Sequence, residues 1–188
     1  SVYGRLNYAY KNRYLLTATL RRDQSSRFAS DIRTGYFPAL GLGWRLKEEG
    51  FLREVGFVSE LKLRAGYGIT GQQSINSDYG YLPRYLAGSN QVAYQFGNTF
   101  VNTLRPQSYV ADRKWEKTAT YNIGLDYGFG TDGRVSGTLD AYYKRSSDLL
   151  FFGPLAAGSA LGNEDYYNVG KFDSKGIELA VNTLVVRT

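Results

Sequence analysis

The sequence predicts an all-β fold, an antiparallel transmembrane β-barrel segment of about seven long strands. Three observations carry that prediction. Apolar and polar residues alternate with period two over stretches longer than the ~5–6 residues of an ordinary soluble strand, close to the ~9–11 that a tilted membrane strand needs. Aromatic residues gather near the ends of those stretches on the apolar side (Tyr8, Tyr14, Tyr36, Trp44, Tyr127, Phe129, Tyr143). An interfacial girdle sits there because such rings tolerate one wet end. The connections also alternate between short and long, as they do when periplasmic turns oppose extracellular loops.

The first stretch puts Val2, Leu6, Tyr8 and Tyr10 on one face and Tyr3, Arg5, Asn7 and Ala9 on the other; 11–13 then reads as a short turn. The second sets Tyr14, Leu16, Ala18 and Leu20 against Leu15, Thr17, Thr19 and Arg21, and 22–34 reads as a longer polar loop. The third sets Tyr36, Leu40, Leu42, Trp44 and Leu46 against Gly35, Ala39, Gly41, Gly43 and Arg45. Pro38 lies near its start, where a missing amide donor is tolerated. Residues 47–59 hold the one helix-like stretch, amphipathic through Phe51, Leu52 and Val55. The fourth stretch sets Leu61, Leu63, Ala65, Tyr67 and Ile69 against Lys62, Arg64, Gly66, Gly68 and Thr70.

Residues 72–113 form a long connection rich in Gly, Ser, Asn, Gln and Tyr, with room for a hairpin around 79–85 and 92–96. The fifth stretch places Trp115, Ala119, Tyr121, Ile123, Leu125, Tyr127 and Phe129 opposite Thr118, Thr120, Asn122, Gly124, Asp126 and Gly128. Residues 131–134 carry the Asp132-Gly133 hairpin signal. The sixth sets Val135, Gly137, Leu139, Ala141 and Tyr143 against Ser136, Thr138, Asp140, Tyr142 and Lys144. After a loop at 147–174, the seventh sets Ile177, Leu179, Val181 and Val185 against Glu178 and Asn182. The length pattern makes 22–34, 72–113 and 147–174 extracellular and 11–13, 47–59 and 131–134 periplasmic. An odd number of strands cannot close an antiparallel barrel. The whole of 1–188 therefore reads as one partial barrel domain, with leucines 16, 63 and 139 and Ile123 facing lipid.

Composition narrows the function. The chain has 17 Tyr, 10 Phe and 22 Gly but no His, Cys or Met. Without His or Cys the familiar triads, thiolate nucleophiles and zinc sites are excluded, so an enzyme is not expected, nor a cofactor or bound metal. The formal charge is +6, with Lys and Arg scattered, so no nucleic-acid face is expected. No run approaches the ~20 apolar residues of a membrane helix, which leaves a barrel untouched because alternation averages its apolar face away.

Candidate contacts lie in three places. The inward face carries Arg5, Arg21, Arg45, Lys62, Arg64, Asp126, Asp140, Lys144 and Glu178. These read chiefly as cross-strand pairs in an aqueous interior, and secondarily as plug or substrate contacts. Tyr79, Tyr81, Tyr85, Tyr94 and Phe96 crowd the long loop; they can stack on sugar rings or form the loop's own small core. Leu149-Leu150-Phe151-Phe152 reads as a strand extension buried under its loop, or else as a docking patch for a partner lipoprotein. Asn163-Glu164-Asp165 offers hard oxygens without the spacing of a calcium loop. Gly66-x-Gly68 and Gly41-x-Gly43 lack a following helix, so they read as strand-packing glycines and not nucleotide loops.

Several collinear stretches resemble the SusC/RagA-like TonB-dependent transporters of Bacteroidetes. They include Tyr3-Gly4-Arg5-Leu6-Asn7-Tyr8, Arg13-Tyr14-Leu15-Leu16-Thr17-Ala18-Thr19-Leu20-Arg21, Gly35-Tyr36-Phe37-Pro38, Leu61-Lys62-Leu63-Arg64-Ala65-Gly66-Tyr67-Gly68, Lys114-Trp115-Glu116-Lys117-Thr118 and Lys175-Gly176-Ile177-Glu178-Leu179. Two loop positions depart from the pattern: Gln24 replaces a usual Gly, and Ala111-Asp112-Arg113 replaces a usual Asn-Pro lead-in. The resemblance implies a barrel of about 22 strands in the bacterial outer membrane, with a plug, driven through TonB. It further implies import of an oligosaccharide or peptide cargo handed over by a SusD-like surface lipoprotein, with outer-membrane lipid around the wall. The alternative is a self-contained small structural or adhesive outer-membrane barrel.

Overall fold

In the computed structural model, which describes residues 1–75, 78–87, 93–130, 133–158 and 162–184, the alternating stretches become seven strands of one antiparallel sheet. In chain order these are β1 (Val2–Tyr10), β2 (Tyr14–Gln24), β3 (Thr34–Arg45), β4 (Val58–Gln72), β9 (Glu116–Phe129), β10 (Val135–Ser147) and β13 (Lys171–Thr183). Each pairs only with its neighbours in that order, so β1 and β13 are free edges among the described residues. A small closed barrel, the alternative reading, is therefore not what this chain forms here. Val92, Thr131, Asp132 and Val185, named in the sequence reading, lie outside the described residues.

Register converts the alternation into two continuous faces. One cross-strand row runs Tyr8–Leu16–Leu42–Ala65–Ile123–Ala141–Ile177, and the next runs Tyr10–Tyr14–Trp44–Leu63–Leu125–Leu139–Leu179. The offset rows between them carry Arg64, Gly124, Asp140 and Glu178 on the opposite face. A soluble sheet would bury its apolar side, yet Leu42, Ile123 and Ile177 are 51%, 53% and 77% exposed. Such a surface must be covered by something apolar. Strand β10, with 13 residues, extends ~40 Å; at a tilt near 40° it rises ~30 Å, enough to cross an apolar band of ~25 Å.

The girdle is visible as ring contacts at both ends of the apolar face. Tyr67 and Tyr121 lie 4.9 Å apart and Tyr121 and Tyr143 6.2 Å apart at one end. At the other, Tyr14 stacks on Tyr10 at 6.4 Å and on Trp44 at 6.1 Å, and Phe129 meets Phe57 and Tyr127.

The connections after β2 and before β13 are shorter than the sequence alone implies, because the ladder continues where hydropathy alternation has ended. Strand β2 runs to Gln24, which pairs with Thr34, so the loop is 25–33 and not 22–34. Polar residues extend the backbone hydrogen bonds just as well once outside an apolar slab. Likewise β13 begins at Lys171, leaving 148–170, and the other connections become 46–57, 73–115 and 130–134. The turn after β1 places Lys11 and Asn12 at φ 49 and 55, the pattern of a primed hairpin turn. Between β3 and β4 a 3-10 turn (Leu46–Glu48) precedes the single-turn helix α1 (Gly50–Arg53). The Lys47 ammonium donates to the carbonyls of Leu52, Arg53 and Val55 at 3.1, 3.2 and 2.8 Å, satisfying that helix's C-terminal end.

The long connection 73–115 does not pair 79–85 with 92–96. Strand β5 (Tyr85–Ala87) instead pairs with β8 (Leu104–Pro106), and β6 (Ala93–Phe96) closes on β7 (Thr99–Asn102). Gly97 supplies the φ of +59 that a two-residue Gly97-Asn98 turn requires, so β6 meets its nearest sequence neighbour first. In 148–170, β11 (Leu150–Pro154) pairs with β12 (Glu164–Asn168) as a second small hairpin.

The largest buried cluster is Phe28, Phe37 and Trp115, with Ile32 and Ile69 against it. It fills the place where β3 and β4 part: their pairing stops at Ala39↔Gly68 although both strands continue. Trp115 is thus corrected. Its parity matches the apolar face, but it precedes the first paired residue of β9 and turns into the cluster, only 4% exposed. Its ring lies 5.0 Å from Phe28 and 5.5 Å from Phe37, and its indole N–H donates to the Arg33 carbonyl at 3.3 Å.

Candidate functional site: the polar face and the long connections

Strands β4, β9 and β10 bring four charges of the polar face together. Arg64 Nε donates to Asp126 at 2.8 Å, while its Nη2 donates to both oxygens of Asp140 at 3.0 Å. Lys62 reaches the other oxygen of Asp126 at 3.3 Å. Two cations and two carboxylates thus close a neutral network across three strands. Arg64, Gly124 and Asp140 share one row, so the guanidinium must pass over β9 to reach Asp140. Gly124 makes that possible: a Cβ there would collide with Asp140 Oδ1 and lie 2.7 Å from Arg64 Nη2. Gly66 does the same for Asn122, whose side-chain oxygen occupies the space of a Gly66 Cβ. Gly66 and Gly124 are thus slots under cross-strand side chains; of the glycines named for their spacing Gly66 has that packing role, while a Cβ at Gly41 would meet only Thr17 at 3.9 Å.

All but one of the remaining inward charges are also answered locally. Arg5 donates to Thr19 at 3.3 Å, Arg45 to Asn12 at 2.7 Å, and Arg21 pairs with Asp23 at 3.0 Å. The Lys144 ammonium sits over the Tyr142 ring at 5.0 Å. Glu178, opposite Asp140, makes no ion pair among the described residues.

The loop aromatics separate into groups. Tyr94 and Phe96 project from β6 with ring centroids 4.9 Å apart, and Phe151 and Phe152 meet Tyr167 and Tyr166 across the β11–β12 hairpin at 6.1 and 5.1 Å. Tyr94, Phe96, Phe151 and Phe152 stay half exposed or more, so the run at 149–152 enters a strand from Leu150 on but is not buried beneath its loop. Tyr79, with φ 57, and Tyr81 fall in a turn, and Tyr85 opens β5; no ring contact joins these three among the described residues.

What holds the two long connections 73–115 and 148–170 together is not legible in the sequence. Arg113 is fully buried; its Nη2 donates to Asp165 at 2.5 Å and its Nε to the Tyr166 carbonyl at 2.9 Å. Asn168 mimics a backbone ladder: its amide oxygen accepts from Lys114 N at 2.7 Å, and its amide nitrogen donates to Lys114 O at 3.0 Å and Asp148 O at 2.7 Å. Ser108 donates to the Glu164 carbonyl at 2.6 Å. Between these loops lies a groove of about 320 Å³ bordered by Arg84, Gln107, Ser108, Phe152, Glu164 and Tyr166. Asp165, weighed above as a calcium donor, is occupied by a guanidinium instead.

Residues 1–184 match the family model described as TonB dependent receptor-like, beta-barrel. The chain belongs to the TonB-dependent receptor β-barrel family. It is 45% identical, over its full length, to TonB-dependent receptor SusC of Bacteroides thetaiotaomicron, and 37% identical to TonB-dependent receptor P39 of Formosa agariphila. It spans about a fifth of these relatives, 19% and 17% of their lengths. Among solved structures, the RagAB peptide importer in its 'closed-closed' state superposes with a TM-score of 0.82 at 25% identity, covering 99% of this chain and 20% of that one. The same importer in its 'open-open' state gives 0.82 at 26% identity.

Membership places the apolar face of this outer-membrane wall against lipid and the Arg64 network in the barrel interior. It also explains the end of the sheet that carries Trp44. In the 46–57 connection, Glu49 accepts from the Trp44 indole at 3.0 Å and the Tyr14 hydroxyl at 2.8 Å through one oxygen, and from Arg13 at 3.0 Å through the other. Those bonds, the Trp44 bond foremost, hold its carboxyl below the usual carboxylate range. The polar tips of two girdle rings thereby have a wet partner while their bodies stay on the apolar face.

Proposed function

We propose that the chain forms part of the barrel wall of an outer-membrane importer, with 25–33, 73–115 and 148–170 outside the cell and 11–13, 46–57 and 130–134 in the periplasm. The single observation that supports this most is the two-faced seven-strand sheet, apolar and exposed on one side and ion-paired on the other, in a chain 45% identical to a TonB-dependent receptor. The wall itself performs no chemistry. Transport is energised through TonB and a plug carried elsewhere in the protein, and Glu178 together with the wet interior is available to that plug. The outer loops contact a cargo, oligosaccharide or peptide, and a SusD-like surface lipoprotein. Tyr79, Tyr81, Tyr85, Tyr94, Phe96, Phe151 and Phe152 are the contact residues, since rings on scaffold-held loops, here exposed at every position but the half-buried Tyr81, are suited to stacking and docking.

Replacing Tyr94, Phe96, Phe151 and Phe152 with Ala in the full-length importer is expected to weaken cargo uptake or lipoprotein association by at least about tenfold, the size of one or two lost anchors. Unchanged uptake together with unchanged association would reduce these rings to loop packing. Sidedness is tested with Ala157→Cys, Asn98→Cys and Glu54→Cys, each introduced into a stretch that has no Cys of its own. The first two should label on intact cells and the third should not.

A further inference from the structure

The apolar face ends differently at its two rims. At the rim carrying Tyr67, Tyr121 and Tyr143, three successive rows of β9, β10 and β13 present Lys117–Ser147–Lys171, then Ala119–Arg145–Asp173, then Tyr121–Tyr143–Lys175. Four cations stand there against one carboxylate. Arg145 is held by Asp173 at 2.8 Å, but Lys117, Lys171 and Lys175 are exposed and make no salt bridge among the described residues. At the opposite rim the same strands present the rows Tyr127–Gly137–Val181 and Phe129–Val135–Thr183, with no charge among the described residues of those rows. Lysines that merely lift their ammonium groups out of the bilayer would serve either rim alike. The asymmetry calls for an anion on one side only.

A second feature lies directly beneath. Ala141 is the small residue between Ile123 and Ile177 in its row, and it floors a shallow apolar trough of about 760 Å³. Tyr121, Tyr143 and Lys175 wall the trough toward the charged rim, so it runs down the face from Lys175. A hydrocarbon chain fits such a trough, and a phosphate attached above it would meet Lys175, Lys171 and Lys117.

We propose that this face holds a lipid through a phosphate-bearing headgroup, with Lys117, Lys171 and Lys175 as its cationic partners, Arg145 beside them, and an acyl chain over Ala141. The lipid belongs to the outer leaflet, a part of the proposal that rests on the sidedness given above. Asp173 is the local opponent: it neutralises Arg145 and repels the phosphate.

The test uses the full-length importer in detergent, titrated with a phosphorylated lipid and with the same lipid after its phosphate is removed, and read by native mass spectrometry. The wild type should retain the phosphorylated form at least about tenfold better, and salt should erode that preference. Lys117→Gln/Lys171→Gln/Lys175→Gln, which leaves the Arg145–Asp173 pair intact, should abolish it. Asp173→Asn should strengthen it, a change of opposite sign that mere loss of folding cannot produce. Ala141→Phe should lower retention of both forms. Equal retention of the two forms by the wild type, or a triple variant that still discriminates, overturns the site. Displacement by inorganic phosphate alone reduces it to an anion site and overturns the lipid assignment. Because micelles have no sidedness, selective retention combined with cell-surface labelling at Glu54→Cys would sink the orientation and leave the site standing.

Discussion

Replacing Gly124 with Ala tests how the polar face is held. An added Cβ would collide with Asp140 Oδ1 and stand 2.7 and 2.9 Å from Arg64 Nη2 and Cζ, so the Arg64–Asp140 pair must open. Arg64 keeps its 2.8 Å bond to Asp126, and only the limb over β9 is lost. Bonds to charged groups contribute ~1.5–3 kcal/mol, and the side chains here are 30% and 22% exposed, so solvent trims the loss to about 1–2 kcal/mol. Gly41→Ala is the matched control, because its Cβ would find nothing nearer than Thr17 Cβ at 3.9 Å. Both substitutions gain the same strand propensity from leaving glycine, so the difference isolates the slot. Urea unfolding of the full-length protein in liposomes should show Gly124→Ala less stable than Gly41→Ala by that 1–2 kcal/mol. In an Asp140→Asn background the penalty should shrink, since less remains to be displaced. Equal stabilities for the two alanine variants would refute the account of Arg64 crossing over Gly124.

Three further outcomes follow from the same geometry. Leu63→Arg puts a charge on the lipid face and should cost ~2–4 kcal/mol, while Arg64→Leu, one residue away, should cost mainly its ion pairs; equal tolerance of both in unfolding titrations would mean the register is off by one. Arg113→Met leaves Asp165 buried without its guanidinium and should loosen the joined outer loops by ~3–5 kcal/mol, read as faster limited proteolysis of 73–115 and 148–170, with Arg113→Met/Asp165→Leu restoring most of the protection. Glu49 has a lowered carboxyl pKa in the folded state, so its contribution is fully present above the unfolded carboxylate range and is lost as pH falls through the folded value. Stability of the 46–57 connection, followed by hydrogen exchange, should therefore drop on acidification below about pH 4, and Glu49→Gln should flatten that dependence.

The strands were legible because lipid and lumen impose opposite demands on alternate residues. Wherever those demands act, as from Leu61 to Ile69 or Ala119 to Phe129, the sequence alone sets face and register. Where they stop, the reading stopped too. Lys171, Asp173 and Lys175 carry no apolar alternation, so the start of β13 was placed too late, although its backbone pairs with β10 throughout. Trp115 shared the parity of lipid-facing residues and was misassigned, because one residue before a ladder begins, parity no longer fixes direction. Arg113 gave no signal, since its partner Asp165 lies 52 residues away and a lone Arg in a polar loop ordinarily points to water. The departure at 111–113 from the family pattern does mark that segment, and Arg113 within it forms the buried latch to Asp165. Exposed rings such as Phe96 and Phe151 were found by type alone, and their pairing with Tyr94 and Tyr167 follows from hairpins too short to have a periodic signature.

The account stands on the assignment of one face to lipid and the other to the interior, and strand β9 tests it residue by residue. Spin labels placed singly from 119 to 128 in the reconstituted full-length protein report access to oxygen, which concentrates in lipid, and to a water-soluble nickel complex. Oxygen access should peak at Ala119, Tyr121, Ile123, Leu125 and Tyr127 and fall at Thr120, Asn122 and Asp126, with the nickel complex following the reverse order wherever the interior is open. Peaks shifted by one residue, or water access at Ile123 equal to that at Asn122, would contradict a membrane wall and return the sheet to the soluble class.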